Sequence, residues 1–219
     1  MTEIELLSWA RGPGFQIATV IMVVGVVIRL FEILMLGRKS NLAEPKGSGI
    51  KGGLRTVFTR TIPDRATLSR SRMTIVGGYI FHIGLFVVVL FFAPHILFFK
   101  DIFGISWPSL PTAIVDAFAV ISIIALLAVL ANRLNNKVMR YLTNFGDLLT
   151  WFLTILPFIT GYIAFHRIGF TGPTVLAVHI LSVELLMVVL PFTKLAHSFT
   201  IFLSRYYNGA ISSYRGVAS

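Results

Sequence analysis

The chain has 219 residues, of which 56% are hydrophobic and only 13% are charged, and its mean hydropathy is +0.84. A soluble domain carries about 25% charged residues, so this chain cannot cover itself with a water-soluble surface. The composition excludes a cytosolic enzyme, a secreted disulfide-bonded domain and a nucleic-acid reader. It predicts an all-α protein that crosses a membrane several times.

Five apolar stretches are long enough to cross a bilayer, which takes about 20 helical residues. No cleavable signal peptide is expected, because Glu3 and Glu5 precede the first stretch. We predict one membrane domain over residues 1–219, with a partly irregular, basic cytoplasmic loop at 37–73 that has room for a short surface helix. The predicted spans are residues 14–36, 74–99, 112–131, 148–165 and 173–203.

The net charge of +10 is distributed unequally between the two sides. Nine Lys and Arg residues lie in the loop, three between spans three and four and two in the tail, whereas the other side has Arg11, Lys100 and Arg167. Cytoplasmic segments carry such an excess, so the N-terminus is predicted outside and the C-terminus in the cytoplasm, in the cell (inner) membrane. The basic loop is expected to contact anionic lipid, to dock an acidic partner, or both.

Cysteine is absent, which excludes Cys-ligated iron–sulfur clusters, covalent c-type haem and disulfides. Histidines are costly in membrane spans and usually serve a purpose there. His82 and His95 belong to span two, and His179 and His197 to span five, so each helix offers one His near either membrane face. Two such pairs suit two stacked b-type haems, each held by two neutral imidazoles.

The spacing of these histidines has a different meaning in the two spans. His179 and His197 are 18 residues apart, which is five turns and about 27 Å of a continuous helix, so both rings would point the same way. His82 and His95 are 13 residues apart, which rotates them by about 140° on an ideal helix. A proline directly before His95 can end or kink the helix and re-aim that ring. His166, at the end of span four, is the rival for the same ligand position.

Two motifs coincide with these histidines. The run that starts at His179 ends, 18 residues later, in Pro-Phe-Thr-Lys-Leu-Ala-His, and span two contains Phe81-His82-Ile83-Gly84. Both motifs resemble those of the nitrate reductase gamma-subunit family of membrane di-haem cytochromes b, and the resemblance covers essentially the whole chain. It implies that His82 and His197 ligate the inner haem and that His179 ligates the outer one.

One position departs from the family pattern. The family's second outer ligand stands ten residues after the His of the second-helix motif, where this chain has Phe92, which cannot ligate iron. His95, about one turn later, is the expected substitute. The departure favours a divergent branch, the cytochromes b associated with heterodisulfide-reductase-like, sulfite-reductase or hydrogenase complexes.

The resemblance implies an electron-transfer subunit of a respiratory oxidoreductase complex rather than a stand-alone enzyme. It would hold two non-covalent haem b groups and exchange electrons with quinone or quinol. Its expected partners are an iron–sulfur subunit at the cytoplasmic face, of which a heterodisulfide-reductase-like protein is one form, and a catalytic subunit. The alternative is a haem-free membrane anchor or a small-solute or proton transporter, whose histidines serve packing or proton relay.

The other polar residues near the spans have two interpretations each. Arg29 pairs with Glu32 on the same helix or binds a haem propionate, and Lys194 binds a propionate or reaches lipid headgroups. Glu184 lies far from either end of span five, where a carboxyl group is expected to be protonated or bonded. If His166 is not a ligand, it is the candidate acid–base group of a quinone site.

Overall fold

The computed structural model describes residues 2–36, 44–169 and 172–217. All regular elements in these ranges are helices, which confirms the all-α class. The α-helices are α1 (Glu3–Trp9), α2 (Phe15–Met35), α3 (Gly49–Thr59), α4 (Arg65–Phe91), α5 (Ala93–Phe103), α6 (Thr112–Asn135), α7 (Lys137–Tyr141), α8 (Phe145–His166), α9 (Pro173–Val189) and α10 (His197–Tyr214).

Within the described ranges, five helical stretches are long and apolar enough to cross a membrane, as the sequence predicted. A π-helical turn, Ala10–Gly14, joins α1 to α2, so that the first stretch runs from Glu3 to Met35. The other four are α4, α6, α8 and Pro173–Phe192. Many large apolar side chains on these helices are exposed, which suits contact with lipid rather than with water. The protein is therefore a multi-pass membrane protein.

The segment 37–73 is more helical than the sequence suggested. It contains α3, which is the expected surface helix, and the first turns of α4. Asp64 caps α4, because its Oδ1 accepts the Thr67 N–H at 2.9 Å. Arg38 and Lys39 of this segment lie outside the described residues.

The chain divides into two compact units. Unit 1 comprises Met1–Gln16 and Ser69–Leu186, and unit 2 comprises Ile17–Leu68 and Met187–Ser219. Each unit combines segments that are distant in the sequence. The helices α2, α4 and α9 contribute residues to both units.

The core of unit 1 lies between α4, α6 and α8. Phe81, Leu126 and Ile155 are buried in it and come from one of these helices each. Helices α4 and α6 can approach closely because Gly84 has no side chain. A Cβ atom at this position would lie only 1.8 Å from Ser122 Oγ. This packing fixes the helices that carry most of the candidate site.

In unit 2, α3 packs along α10 at very short range. A Cβ atom at Gly52 would lie 2.1 Å from the Ser213 Cβ, and one at Gly209 would lie 2.2 Å from Thr56 Oγ1. Thr56 is fully buried and donates its hydroxyl hydrogen to the Gly52 carbonyl at 2.8 Å. The glycines therefore permit a helix pair that larger residues would push apart.

Candidate functional site

A break between α4 and α5 sets the direction of His95. Pro94 has no N–H to donate to the carbonyl of Leu90, so helical hydrogen bonding cannot continue. Phe92 lies in the break with extended backbone (φ −80°, ψ 125°), and its carbonyl accepts the His95 N–H at 3.0 Å. The predicted span 74–99 is therefore two helices, and the rotation of about 140° expected for an ideal helix does not apply to its histidines.

The segment before α6 bonds the carbonyl groups that this break exposes. Trp107 donates its indole N–H to the carbonyl of Leu90, and the N–H of Leu110 bonds the carbonyl of Phe91 at 3.0 Å. A carbonyl without a donor is costly in apolar surroundings, so both contacts stabilise the break. Trp107 thereby helps to orient His95 through the backbone.

His95 and His179 come together within unit 1. Their ring centroids are 6.3 Å apart, and their planes are 22° from parallel. An imidazole nitrogen lies about 2 Å from the metal that it ligates, and the ring centre lies about 1 Å further back, so two imidazoles opposed on one ion have centres about 6 Å apart. The observed separation therefore fits two axial ligands of one haem iron.

The environment of His95 favours the form of the ring that can bind a metal. His95 lies in α5, outside the five apolar stretches, and is half-buried. Burial lowers the pKa of His95, and the hydrogen bond to the Val88 carbonyl opposes this effect. The ring is therefore neutral at physiological pH, as metal ligation requires.

The four candidate ligands share one hydrogen-bonding pattern, in which Nδ1 of each ring contacts an oxygen. In three of them the oxygen is a backbone carbonyl, which only accepts, so Nδ1 carries the hydrogen and Nε2 carries the lone pair that binds a metal. Haem ligands need this tautomer. The contacts join His82 to the Gly78 carbonyl at 2.6 Å, His95 to the Val88 carbonyl at 2.9 Å, His179 to Thr160 Oγ1 at 3.3 Å and His197 to the Lys194 carbonyl at 2.7 Å.

The ring of His179 lies directly against α8. A Cβ atom at Gly161 would lie 2.9 Å from His179 Cε1, so a larger residue at position 161 would displace the ring. Thr160 Oγ1 lies 3.3 Å from His179 Nδ1 and also contacts the Leu156 carbonyl at 2.8 Å and Ser182 Oγ at 2.9 Å. Two adjacent residues of α8 thus fix the position of the His179 ring.

The fifth predicted span, 173–203, is not one helix. It breaks after Val189 at two 3-10 turns, because Pro191 cannot donate a helical N–H and Thr193 is extended (φ −124°, ψ −173°). The prediction that both histidines of this span share one helical face, five turns apart, is therefore wrong, since it requires a continuous helix. His197 begins a separate helix, α10.

Arg29 contacts this second break from α2. Its Nε–H donates to the carbonyl of Pro191 at 3.2 Å, and its Nη1 pairs with Glu32 at 3.0 Å. A Cβ atom at Gly25 would lie 2.6 Å from Pro191 Cγ, so α2 and the break are in close contact. The pair of Arg29 and Glu32 is confirmed, whereas the binding of propionates by Arg29 and Lys194 stays a prediction.

His82 and His197 belong to different units, and both side chains are exposed. Gly78, one turn before His82, borders open space, since a Cβ atom there would meet no atom within 4 Å. That face of α4 has room for a flat group beside His82. The shared ligation of one haem by His82 and His197 stays a prediction.

His166 has a partner of another kind. Its Nε2 lies 3.3 Å from Asp116 Oδ1, and its ring centroid lies 4.3 Å from that of Tyr162. This contact is an ion pair when the ring is protonated, which distinguishes it from the Nδ1 contacts of the four candidate ligands. It is His95, and not His166, that lies beside His179. The contact between His166 and Asp116 depends on how α6 and α8 pack.

Glu184 is buried in α9 and only 6% exposed. Its Oε1 has no hydrogen-bond partner among the described residues, and its Oε2 lies 3.0 Å from where a Cβ atom of Gly14 would be. The protonated or bonded state expected for this carboxyl group stays a prediction.

Among the described residues, no three His, Cys, Asp or Glu side chains come together to hold a metal ion. A haem iron does not require such a group, because the porphyrin supplies four nitrogen ligands and the protein adds the axial ones. His95 and His179 would supply the two axial ligands.

The helices and their apolar surfaces define the class: a multi-pass, all-helical membrane protein. The chain is 33% identical, over 158 residues, to a curated protein of Nitratidesulfovibrio vulgaris (strain Hildenborough); the match covers 72% of this chain and 70% of the relative. The chain belongs to the family of that relative, whose name, "Protein", states no activity. No protein-family model and no solved structure matches the chain.

Proposed function

We propose that this protein is a di-haem cytochrome b that anchors a respiratory redox complex in the cell (inner) membrane. It passes electrons between the quinone pool and an iron–sulfur subunit. The observation that carries the proposal is the approach of His95 and His179 to 6.3 Å between ring centroids, with Nδ1 of each ring held by an oxygen. Haem supplies reversible one-electron chemistry when bound, and the chain supplies ligation, orientation and burial.

The ligands divide into two sets with different support. His95 and His179 hold the outer haem in the proposal, and their contact supports it. His82 and His197 hold the inner haem, and that assignment rests on the sequence motifs and on the tautomer of each ring. Two haems at different depths would allow electrons to cross the bilayer.

The composition and charge of the chain indicate what kind of partner subunit it would have. The chain has no Cys and cannot ligate an iron–sulfur cluster with thiolates, so clusters belong to another subunit. With the N-terminus outside, the basic segment 37–73 lies in the cytoplasm, where it would steer an acidic redox subunit. A catalytic subunit completes the proposed complex.

A reduced-minus-oxidised visible spectrum of the purified protein tests this function. We expect a b-type α band and about two haems per chain by pyridine haemochrome assay, because the residues provide two bis-imidazole pairs. A protein that is folded and monodisperse but shows no α band would contradict the proposal. It would favour the alternative of a haem-free anchor or transporter.

A further inference from the structure

The contact between Asp116 and His166 joins two helices at one end of unit 1. Asp116 lies in the second turn of α6, and His166 is the last residue of α8. The side chains are 27% and 31% exposed, so a molecule arriving from the surroundings can reach the pair. Asp116 and Tyr162 are the titratable residues recorded in contact with His166.

A continuous series of aromatic contacts connects this pair to the candidate haem ligands. The ring of His166 is 5.1 Å from that of Phe165, Phe165 is 4.8 Å from Phe92, and Phe92 is 5.2 Å from His95. His95 in turn lies beside His179. A substrate next to His166 would therefore be two phenyl rings away from the outer haem.

We propose that Asp116 and His166 form the proton-accepting pair of a quinol-binding site, with His166 as the base and Asp116 as a positioning residue. The inference rests on the proposed cytochrome function. The contact carries the argument: the carboxylate of Asp116 lies 3.3 Å from Nε2 of His166, beside an imidazole that can accept a proton. Asp116 also stabilises the imidazolium that forms, since it is an anion beside a cation.

The reaction is balanced as follows. One quinol loses two protons and two electrons and becomes a quinone; the electrons would leave one at a time for the haem that His95 and His179 would hold, which supplies one-electron chemistry when bound. The imidazole of His166 accepts a hydroxyl proton as an electron leaves the quinol, and the imidazolium then releases that proton to water. A second round removes the other proton and electron. The same groups act in reverse when quinone is reduced.

The test is stopped-flow reduction of the haem-loaded full-length protein by menadiol, in nanodiscs and over a range of pH. The variants are Asp116→Asn, His166→Gln and, as a matched control on the same face of α8, Tyr162→Phe. Dithionite, which needs no proton acceptor, measures haem reduction independently of the quinol site. Haem content is measured for each variant.

For His166→Gln we expect menadiol-driven reduction to slow by about 100-fold or more, since a general base contributes about 10²–10⁴-fold. The rise of the rate with pH should disappear, and dithionite reduction and haem content should be unchanged. Asp116→Asn should show a smaller loss in rate, and Tyr162→Phe a rate close to that of the wild type. A pair that only ties α6 to α8 would not change the pH profile.

Two results would overturn the inference. A His166→Gln protein that keeps its haem and is reduced by menadiol at the wild-type rate would exclude the base, while leaving the cytochrome function intact. Loss of one haem from this variant would make His166 an axial ligand instead. Absence of haem from the wild-type protein would overturn the proposed function together with the inference.

Discussion

The two helix breaks of this protein look alike in sequence but differ in how they are stabilised. Each contains a proline that cannot donate a helical N–H, and each precedes a candidate haem ligand: Pro94 before His95 and Pro191 before His197. At the first break, neutral donors on the segment before α6 bond the free carbonyls. At the second, a charged side chain on α2, Arg29, does so.

The different hydrogen-bond donors at the two breaks suit them to different roles. At the first break the donors are an indole and a backbone N–H, and the His that follows is brought against the ring of His179. At the second, Arg29 is also paired with an exposed carboxylate, that of Glu32, and His197 begins a helix that packs on α3. We infer that the first break is mainly a device for orienting a ligand, and the second a junction between a span and the polar part of unit 2.

The largest expected effect is the loss of one haem when a candidate ligand near either break is replaced. His179→Ala should reduce haem content from about two to about one per chain, since an imidazole ligand is removed. His197→Ala should also leave about one haem per chain, but it should keep the outer haem, whereas His179→Ala should keep the inner one. The α band that remains should therefore differ between the two variants. Retention of both haems by His197→Ala would remove that residue from the ligand set.

Pro94→Ala tests the first break itself. The substitution supplies an N–H for the Leu90 carbonyl, which then competes with Trp107, and it lets α4 continue through Phe92 and turn His95 away. We expect haem content between one and two per chain. Pro191→Ala is the matched control and should keep the outer haem fully. Equal haem loss in both variants would mean that the breaks do not differ in function.

Gly161→Ala should weaken the outer site to a smaller degree. The added methyl group lies 2.9 Å from His179 Cε1, and such overpacking costs about 1–3 kcal/mol. Thermal unfolding and the fraction of haem retained through purification measure the effect. Gly12→Ala is the control, because its methyl group meets no atom within 4 Å and it lies in the turn Ala10–Gly14, apart from the candidate ligands; it should be neutral or stabilising by up to about 1 kcal/mol. A Gly161→Ala protein as stable and as haem-rich as Gly12→Ala would contradict this geometry.

The smallest expected effect is at the second break. Arg29→Gln removes a charge-assisted hydrogen bond to the Pro191 carbonyl. Because the Arg29 side chain is 46% exposed, we expect this loss to cost only about 1 kcal/mol. Glu32→Gln removes only an exposed ion pair and should cost less than about 1 kcal/mol. Denaturation of both variants in the same detergent gives the comparison. If Glu32→Gln is the more destabilising of the two, the bond to Pro191 does not stabilise the break.

The sequence predicted the number of spans and left a break before His95 open, since Pro94 can end or kink a helix, but it did not predict the break in the fifth span. Hydropathy reports which segments suit lipid, and this property does not depend on whether a helix is continuous. Proline alone is also ambiguous, because Pro157 lies inside α8 without ending it and Pro13 lies in the π-helical turn. Pro191 differs in that the extended Thr193 follows it.

The candidate site was predictable as a set of histidines but not as a set of pairs. Because histidine is rare in membrane spans, the sequence identified all five histidines, whereas the partner of each one depends on packing between helices. The contact of His166 with Asp116 requires the register of α6 against α8. The place of His179 beside Gly161 requires the approach of α9 to α8. Neither can be read from spacing along one helix.

The central claim is that His95 and His179 ligate one haem, and haem content in His95→Ala and His166→Ala tests it most directly. Both residues lie near the same end of unit 1, so the two variants serve as controls for each other. We predict about one haem per chain in His95→Ala and about two in His166→Ala. Two haems in His95→Ala together with one in His166→Ala would contradict the account.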